Sequence, residues 1–288
     1  MRQGLGKADL HLHTTASDGA STPADLVRLA GERHLNTISI TDHDTIKGYL
    51  DAAGIANEVG VKLLPGVEVT TLHEKNEIHL LAYCFDEDHS ELNNTLAGQR
   101  QARVNRMQQI LDQLKKRSGF EFSLDEVISE AKSRNVGRPH LAQLMVKKKI
   151  VASFTEAFIR YLGRSVLDEI VPEFVQLEEM IRIVKRAGGA AILAHPGRLY
   201  DNKEIEAYIE LGLDGLECIH PAHNFERQKE LTKLAENRQL LITGGSDYHG
   251  TGKEYDPYFG ILTLSEKHVN RLERLSQNRK RLKSEMKQ

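Results

Sequence analysis

The chain has little cysteine and no long apolar run, and each shortage excludes a class of protein. Its cysteines are Cys84 and Cys218, which lie far apart among 288 residues and form no Cys-x-x-Cys pair. The sequence therefore argues against a disulfide framework and a thiolate zinc site, and we expect both thiols to be buried bystanders. No run is long enough to span a membrane and no basic-then-apolar leader is present, so we expect a cytoplasmic protein.

What the chain does contain is typical of a folded α/β protein. Hydrophobic residues make up 40% and charged residues 28%, which fits a sizeable core within one large domain or two ordinary ones. The formal net charge of -2 argues neither for nor against nucleic acid. The unusual feature is the thirteen histidines, many of which stand beside Asp, Glu, Pro or Gly at the ends of apolar runs.

Strands and helices alternate at short intervals in the two outer parts of the sequence. Strands are predicted at 7–12, 37–40, 61–64 and 77–83, and again at 190–194, 215–219 and 240–243. Helical segments separate most of them, and a further helix is predicted after Ser265. This alternation predicts a mainly parallel β/α arrangement.

The middle of the chain has helical patterning alone. Between 98 and 149 it holds twelve Lys or Arg against five Asp or Glu, a net charge of +7 in a chain of -2. Ser123 and Glu126 have the spacing of a capping box, which marks the start of one of these helices. We therefore predict a basic helical insertion, or cap, over 98–167, between the two parts of a β/α domain at 1–97 and 168–288.

The first strand ends in a pair of histidines that suits a divalent metal ion. Side chains at positions i and i+2 of a strand share a face, so His11 and His13 should present two imidazoles side by side. A His-x-His pair is a weak signal alone, because a single histidine at a strand end is more often a hydrogen-bonded core or surface residue. The interpretation depends on whether further ligands occur at other strand ends.

Such ligands do occur, in order along the chain. Most lie at or just after the carboxyl end of a predicted strand, where alternating strands and helices bring active-site residues to one face. Imidazole and carboxylate donors without cysteine favour catalytic Zn, Mn or Fe, and nine donors suffice for two or three ions. Glu68 could bridge two of them. The predicted metal ligands are His11, His13, Asp18, His43, Glu68, His79, His195, Asp247 and His249.

These segments together resemble the ordered motifs of the PHP (polymerase and histidinol phosphatase) family. The resemblance covers nearly the whole chain outside the insertion. It implies a distorted (β/α)7 barrel with a two- or three-metal phosphoesterase site. The motifs that carry it are Asp9-Leu10-His11-Leu12-His13, Ser17-Asp18-Gly19, Thr41-Asp42-His43-Asp44, Pro65-Gly66-Val67-Glu68, Ile78-His79-Leu80-Leu81, Ala194-His195-Pro196 and Gly245-Ser246-Asp247-Tyr248-His249.

The resemblance also implies how the ligands divide among the ions. His11, His13, Glu68 and Asp247 would hold the first ion. Glu68, His79 and His195 would hold the second, and Asp18, His43 and His249 the third. None of these positions departs from the family's pattern.

The insertion resembles one branch of the family more than the others. Its segment Asn135-Val136-Gly137-Arg138-Pro139-His140 is similar to the branch that hydrolyses 3',5'-nucleoside bisphosphates and trims short RNA from the 5' end. A basic cap over an acidic site mouth suits a substrate with a second phosphate. Arg138, His140 and, more weakly, Arg134 are predicted to grip that phosphate.

Three residues beside the predicted metal face are candidates for other roles. Arg198 and His223 are predicted to lie where the scissile phosphate binds, and Asp247 or His223 to relay protons. His220 is as well explained by loop packing. The basic residues after 265 favour either an RNA-tracking patch or an ordinary solvated helix face.

The sequence thus predicts a cytoplasmic, metal-dependent phosphatase that converts 3',5'-nucleoside bisphosphates to 5'-mononucleotides and also trims short RNA. The large basic insertion argues against the first alternative, a histidinol-phosphate-type phosphatase of the same family. The complete ligand set argues against the second, a non-catalytic RNA-binding module stabilised by metal. No membrane association and no stable protein partner are expected.

Overall fold

The computed structural model describes residues 6–163, 167, 170, 172–197 and 199–285. Nine strands are present there: β1 Lys7–Leu12, β2 Thr37–Ile40, β3 Lys62–Leu64, β4 Gly66–His73, β5 Asn76–Tyr83, β6 Ala190–Leu193, β7 Gly215–Ile219, β8 Leu241–Gly244 and β9 Leu264–Ser265. The α-helices are α1 Pro23–Glu32, α2 Lys47–Val59, α3 Ser90–Ser118, α4 Leu124–Ala131, α5 Arg138–Lys147, α6 Phe154–Ala157, α7 Leu177–Arg186, α8 Asn202–Glu210, α9 Phe225–Asn237 and α10 Glu266–Glu285. A π-helical turn, Phe158–Leu162, follows α6, and a 3₁₀ turn, Asp256–Tyr258, precedes β9.

Local signals in the sequence explain where several helices begin and end. The Ser123 hydroxyl accepts from the Glu126 backbone N–H at 3.2 Å, while the Glu126 carboxylate accepts from the Ser123 backbone N–H, so the predicted capping box starts α4. The long helix α3 ends at Gly119, which adopts the left-handed conformation at φ 69°. Basic residues fill its last turn, where they face the negative end of the helix dipole.

The first sheet is built around β1, in the order β3-β2-β1-β9. β1, β2 and β3 run parallel, as predicted, while the short β9 joins β1 antiparallel. The residues of β1 after Lys7 are buried. The carboxyl end of β1 therefore places His11 and His13 in the buried interior of the protein.

The second sheet has the order β4-β5-β6-β7-β8 and departs from the prediction. β4 and β5 form an antiparallel hairpin, and β5 also pairs antiparallel with β6. The segment after Pro65, read from the sequence as a strand end, is strand β4, with Glu68 as its third residue. The predicted parallel arrangement is therefore wrong for β4 and β5, whereas β6, β7 and β8 run parallel as predicted.

The predicted distorted (β/α)7 barrel is not confirmed, because the described strands form two separate sheets. Single parallel bridges connect the sheets near the candidate site, one between Leu12 and Tyr248 and one between His43 and Glu68. The backbone N–H of Glu68 donates to Thr41 at 3.1 Å, and that of Asp44 donates to Glu68 at 2.9 Å. The fold is therefore a mixed α/β fold that joins its two sheets where the ligands gather.

Three large groups of buried apolar side chains form the core of the described chain. The largest lies between the second sheet, the start of β1 and helices α7 to α10, and includes Tyr83. A second lies between the first sheet and helices α1 and α2, and includes Tyr248. The third is formed by the helices of the predicted cap, from Val104 to Leu167. Helix α3 runs continuously across residue 98, so the proposed cap boundary falls within a helix. The domain limits 98–167 stay a prediction.

Helix α3 is fixed to the sheets by a buried ion pair. Arg103 donates from Nε to Asp44 Oδ2 at 2.5 Å and from Nη2 to Thr70 Oγ1 at 2.5 Å. Asp44 is fully buried, and its other oxygen accepts from the Thr70 backbone N–H at 2.9 Å. The arginine therefore neutralises a carboxylate that has no access to water.

Replacing Arg103 by methionine should destabilise the protein strongly. Loss of one partner from a buried pair leaves an uncompensated charge, which costs about 3–5 kcal/mol. In a chain of this size we expect the melting temperature to fall by roughly 10 °C. The matched control is Lys116→Met on an exposed position of the same helix. Equal melting temperatures for both variants in a thermal scan would refute this role.

The terminal helix α10 uses several of its basic residues internally. Arg279 donates to both carboxylate oxygens of Asp214, at 2.7 and 2.6 Å, and Lys283 donates to the Arg186 carbonyl at 3.0 Å. These contacts fasten the helix to its neighbours, which weakens the alternative of an RNA-tracking patch. Within the described part of the chain, no helix is both long enough and apolar enough to cross a membrane.

Candidate metal centre and adjoining cavity

The two histidines at the carboxyl end of β1, His11 within the strand and His13 just after it, share a pair of carboxylates; we call them the β1 histidines. His11 Nε2 lies 3.4 Å from Glu68 Oε2 and 3.3 Å from Asp247 Oδ1. His13 Nε2 lies 3.3 and 3.2 Å from the same two oxygens. All four side chains are buried or nearly so, and their donor atoms converge on one point. The structure thus brings together the four residues predicted for the first ion.

Glu68 is the centre of the larger cluster. Its Oε1 faces His79 Nδ1 at 2.8 Å and His195 Nε2 at 2.9 Å. Its Oε2 faces the two β1 histidines and also His43 Nδ1 at 3.3 Å. The two oxygens therefore serve two different groups of imidazoles, as a carboxylate that bridges two ions would.

A third group forms around Asp18. Its Oδ1 lies 3.5 Å from His249 Nε2 and 3.7 Å from His13 Nδ1, and its Oδ2 lies 3.9 Å from His43 Nε2. One donor atom from each of these four residues fits within 4.8 Å of the others. Asp18, His43 and His249 were predicted together, and His13 joins them through its second ring nitrogen. The structure thus brings all nine predicted ligands into one cluster.

Several buried donor atoms of the cluster have no hydrogen-bond partner. They are both ring nitrogens of His13, Asp18 Oδ1 and His43 Nδ1. A buried polar atom without a partner typically costs about 1–3 kcal/mol, so several in one place require compensation. Nitrogen and oxygen atoms that face one another without forming hydrogen bonds can instead serve as ligands of a divalent cation. The residues present therefore fit a Zn, Mn or Fe centre.

The electrostatics of the cluster keep its carboxylates ionised. Burial alone would raise the pKa of the Glu68 carboxyl, but His43 and the imidazoles beside it hold that pKa well below its usual range. Burial would likewise raise the pKa of the Asp247 carboxyl, but the neighbouring histidines, His11 first among them, lower that pKa well below its usual range. Both groups are therefore anionic at neutral pH, which is the state that binds cations.

Three of the nine described non-glycine residues with a positive φ lie at or beside this cluster. Asp44, His195 and Asp247 adopt positive φ angles of 52°, 29° and 52°, which non-glycine residues rarely occupy. Gly245 allows the turn before Asp247 to pass against β1, since a Cβ there would collide with the His11 backbone nitrogen. The loops at the strand ends are thus held in costly conformations that aim their side chains inward.

Glu217 belongs to the site although the sequence reading missed it. Its Oε1 accepts from His11 Nδ1 at 2.8 Å, and its Oε2 accepts from the His195 backbone N–H at 2.7 Å. The first contact fixes the tautomer of His11 and leaves Nε2 to face the cluster. A charged residue in the middle of the apolar strand β7 was the available signal.

The structure reverses the predicted roles of His220 and His223. His223 donates from Nδ1 to the Cys218 carbonyl at 3.0 Å and accepts at Nε2 from the Gly197 N–H at 2.9 Å. Both nitrogens are therefore used by the backbone, and the geometry argues against the predicted proton relay. His220 instead directs Nε2 to Asp247 Oδ2 at 3.2 Å.

A cavity opens from the cluster towards the helical cap. Asp18, His43 and His79 line one side of it. The other side is formed mainly by residues of α3, α5 and the segments beside them: Arg103, Arg106, Met107, Ile110, Val136, Gly137, Arg138, Pro139, Phe158 and Phe174. The cavity therefore joins the cation-binding cluster to a wall that contains Arg106 and Arg138, which we call the arginine wall.

The predicted phosphate-binding residues are placed differently from one another. Arg138 lines the cavity, whereas Arg134 is exposed and does not line it. His140 accepts from the Gly137 N–H at 3.0 Å and donates to the Ser17 carbonyl at 3.2 Å, so both of its nitrogens serve the backbone. This geometry argues against a phosphate contact by His140. Arg198 lies outside the described residues.

Arg106 is an additional cavity residue that the sequence reading did not single out. Its Nη1 lies 2.7 Å from Glu77 Oε2, while its buried Nε has no hydrogen-bond partner. It stands one helical turn after Arg103 on α3, and a spacing of three places both on one helix face. That spacing was the signal in the sequence.

Adding Mn²⁺ to chelator-treated protein should raise its melting temperature, because ions bind the folded cluster and not the unfolded chain. At about 100 times the Kd the gain is about 2.7 kcal/mol, roughly 5 °C or more for a chain of this size. Scanning fluorimetry measures the shift. His249→Asn should lose part of it, and His34→Asn at an exposed position should retain it all. No shift with Mn²⁺, Zn²⁺ or Fe²⁺ would contradict a metal centre.

Known proteins share both the motifs and the architecture. The PHP domain family model matches residues 9–116. A 5'-3' exoribonuclease of Haemophilus influenzae is 33% identical over 91% of this chain and 98% of its own length. A 3',5'-nucleoside bisphosphate phosphatase of Chromobacterium violaceum is 27% identical over 86% of this chain and 89% of its own.

A solved structure extends the similarity to three dimensions. The crystal structure of a putative metal-dependent phosphoesterase from Bifidobacterium adolescentis is 32% identical in sequence and has a TM-score of 0.83. The match covers 92% of this chain and 94% of that one. Similarity of this extent includes the cap as well as the sheets. With a third of its residues identical to a PHP relative over almost the full length of both, this chain belongs to the PHP family of metal-dependent phosphoesterases.

Proposed function

We propose that the chain removes the 3'-phosphate of 3',5'-nucleoside bisphosphates to give 5'-mononucleotides. The same cleavage, applied to the first phosphodiester of a short 5'-phosphorylated RNA, would trim RNA from its 5' end. The observation that carries the proposal is the cavity that joins the metal cluster to Arg106 and Arg138. The names of the relatives from Haemophilus influenzae and Chromobacterium violaceum support both activities.

The arginine wall suits a terminal phosphate. A guanidinium can donate two parallel hydrogen bonds to phosphate oxygens, which favours arginine where a dianion must be held in one orientation. Arg106 has an unpartnered Nε–H for this purpose. The ring of Phe174 lies 5.6 Å from the Arg106 guanidinium, and that of Phe158 lies 6.0 Å from Arg138. These rings also provide an apolar surface for a base or ribose.

The nine clustered side chains are our proposed metal ligands. Two or three divalent ions of Mn, Zn or Fe held there would supply a hydroxide nucleophile near neutral pH and neutralise charge on the scissile phosphate. Glu68 would bridge two ion positions through its separate oxygens. Glu217 would hold His11 in the tautomer that presents Nε2.

Proton transfer is assigned to the side chains at the β7 and β8 ends. Asp247 Oδ1 faces the β1 histidines, while its Oδ2 accepts from His220 Nε2. His220 Nδ1 accepts from the Ala222 N–H at 3.0 Å, which places the ring proton on Nε2. We propose that Asp247, oriented by the Nε2–H of His220, accepts a proton from the attacking water and passes it to the leaving ribose oxygen, and that His223 takes no part in this relay. A cytoplasmic location stays a prediction.

The test is a substrate comparison with metal-loaded protein. Adenosine 3',5'-bisphosphate should release inorganic phosphate and give 5'-AMP, and histidinol phosphate should be a much poorer substrate. Chromatography of the nucleotide product distinguishes loss of the 3'-phosphate from loss of the 5'-phosphate. Preference for histidinol phosphate would replace the proposal with the first alternative. Tight RNA binding without phosphate release, with metals bound, would favour the non-catalytic module.

A further inference from the structure

Glu77 connects the metal cluster to the arginine wall. It is the second residue of β5, and its side chain lies on the same face of the strand as that of His79. The carboxylate is 11% exposed, so water offers it little compensation. Its partners must therefore come from the protein, and they come from both sides of the cavity.

The partners of Glu77 compete for its two oxygens. Oε2 is taken by Arg106 Nη1 at 2.7 Å. Oε1 lies 3.4 Å from His79 Nε2 and 3.5 Å from Arg138 Nη2, so two donors share it at long range. The other ring nitrogen of His79 faces Glu68 Oε1 at 2.8 Å. His79 thus stands between the bridging carboxylate of the cluster and the carboxylate that holds the arginines.

A histidine that ligates metal through one nitrogen is oriented by the acceptor of its other N–H. Glu77 can serve His79 fully only if its arginines are drawn elsewhere. An incoming terminal phosphate would do so, because it offers the guanidinium groups a stronger, dianionic acceptor.

We propose that Glu77 is a positioning residue that couples occupancy of the arginine wall to the orientation of the metal ligand His79. This inference rests on the proposed function. A 5'-phosphate draws Arg106 and Arg138 from Glu77, and the Glu77 carboxylate then accepts a shorter hydrogen bond from the His79 Nε2–H. The second phosphate of the substrate therefore contributes to turnover as well as to binding, and substrates without it leave the metal ligand less well held.

The first test separates kcat from KM. In the wild type, kcat for adenosine 3',5'-bisphosphate should exceed that for adenosine 3'-monophosphate by about tenfold, a usual size for coupling between sites. Glu77→Gln should reduce this ratio to roughly threefold or less, with little rise in KM for the bisphosphate. Glu74→Gln, an exposed change in the same hairpin, should keep the wild-type ratio. A wild-type ratio in the Glu77→Gln protein would overturn the proposal.

The second test uses only the wild-type protein and does not depend on turnover. Calorimetry should show that 2',3'-dideoxyadenosine 5'-monophosphate tightens Mn²⁺ binding to the wild type by about threefold or more, since coupling is reciprocal. 2',3'-Dideoxyadenosine, which lacks the phosphate, should have no effect. Equal Mn²⁺ affinity with and without the nucleotide would overturn the coupling. Failure to hydrolyse the bisphosphate, with the affinity change intact, would instead refute the proposed function alone.

Discussion

Replacing Glu68 by alanine should lower kcat by about a thousandfold or more and reduce the number of divalent ions bound per chain. Five histidines, from both sheets, face its carboxylate within 3.4 Å. Metal ions at such a site contribute several kcal/mol of transition-state stabilisation, and each 1.36 kcal/mol corresponds to a tenfold change in rate. Phosphate release and elemental analysis of the purified protein measure the two effects.

The control must separate loss of metal from loss of fold. Glu58→Ala changes an exposed glutamate of α2 and should keep both activity and metal content. Glu68→Gln keeps the size of the side chain but lacks the charge that bridges two cations, so it should resemble Glu68→Ala. Circular dichroism checks that each variant is folded. Full turnover in either Glu68 variant would exclude a bridging role.

Much of the fold was predictable from the sequence because its signals are local. The strands Lys7–Leu12 and Thr37–Ile40 have the predicted bounds, since short apolar runs define them locally. Strand β4 was missed because Pro65 and Gly66 were read as the end of the preceding strand. Once β4 is placed, its two-residue connection to β5 requires antiparallel pairing. The antiparallel pairing of β5 with β6 has no such local signal, because the whole helical cap separates these strands in the sequence.

The candidate site was predictable in its composition but not in all of its roles. Nine histidine, aspartate and glutamate residues at strand ends identify a cluster, and the structure brings those nine residues together. Glu217 contacts His11, 206 residues away, and Arg106 contacts Glu77, 29 residues away, and the sequence pattern does not reveal either pairing. Conversely, His140 and His223 looked available in the sequence, yet backbone groups use all of their ring nitrogens.

Replacing Arg106 by glutamine should lower kcat/KM for adenosine 3',5'-bisphosphate by about a hundredfold. Hydrogen bonds to charged groups contribute about 1.5–3 kcal/mol, and a loss of about 2.7 kcal/mol corresponds to that factor. Activity on adenosine 3'-monophosphate should stay at or above the wild-type level, because that substrate has no second phosphate to lose. Steady-state kinetics with both substrates measures the difference.

Arg134→Gln is the matched control, since it removes the same charge from an exposed position of the same basic cap. If net charge alone attracted the substrate, both variants would lose similar activity, and the loss would shrink equally as salt screens the field. If Arg106 binds the phosphate directly, only its variant loses activity on the bisphosphate while keeping activity on the monophosphate, and this difference persists at high salt. An equal fall on both substrates in the Arg106 variant would instead place this arginine with the metal cluster, acting through Glu77 on His79 rather than on the substrate.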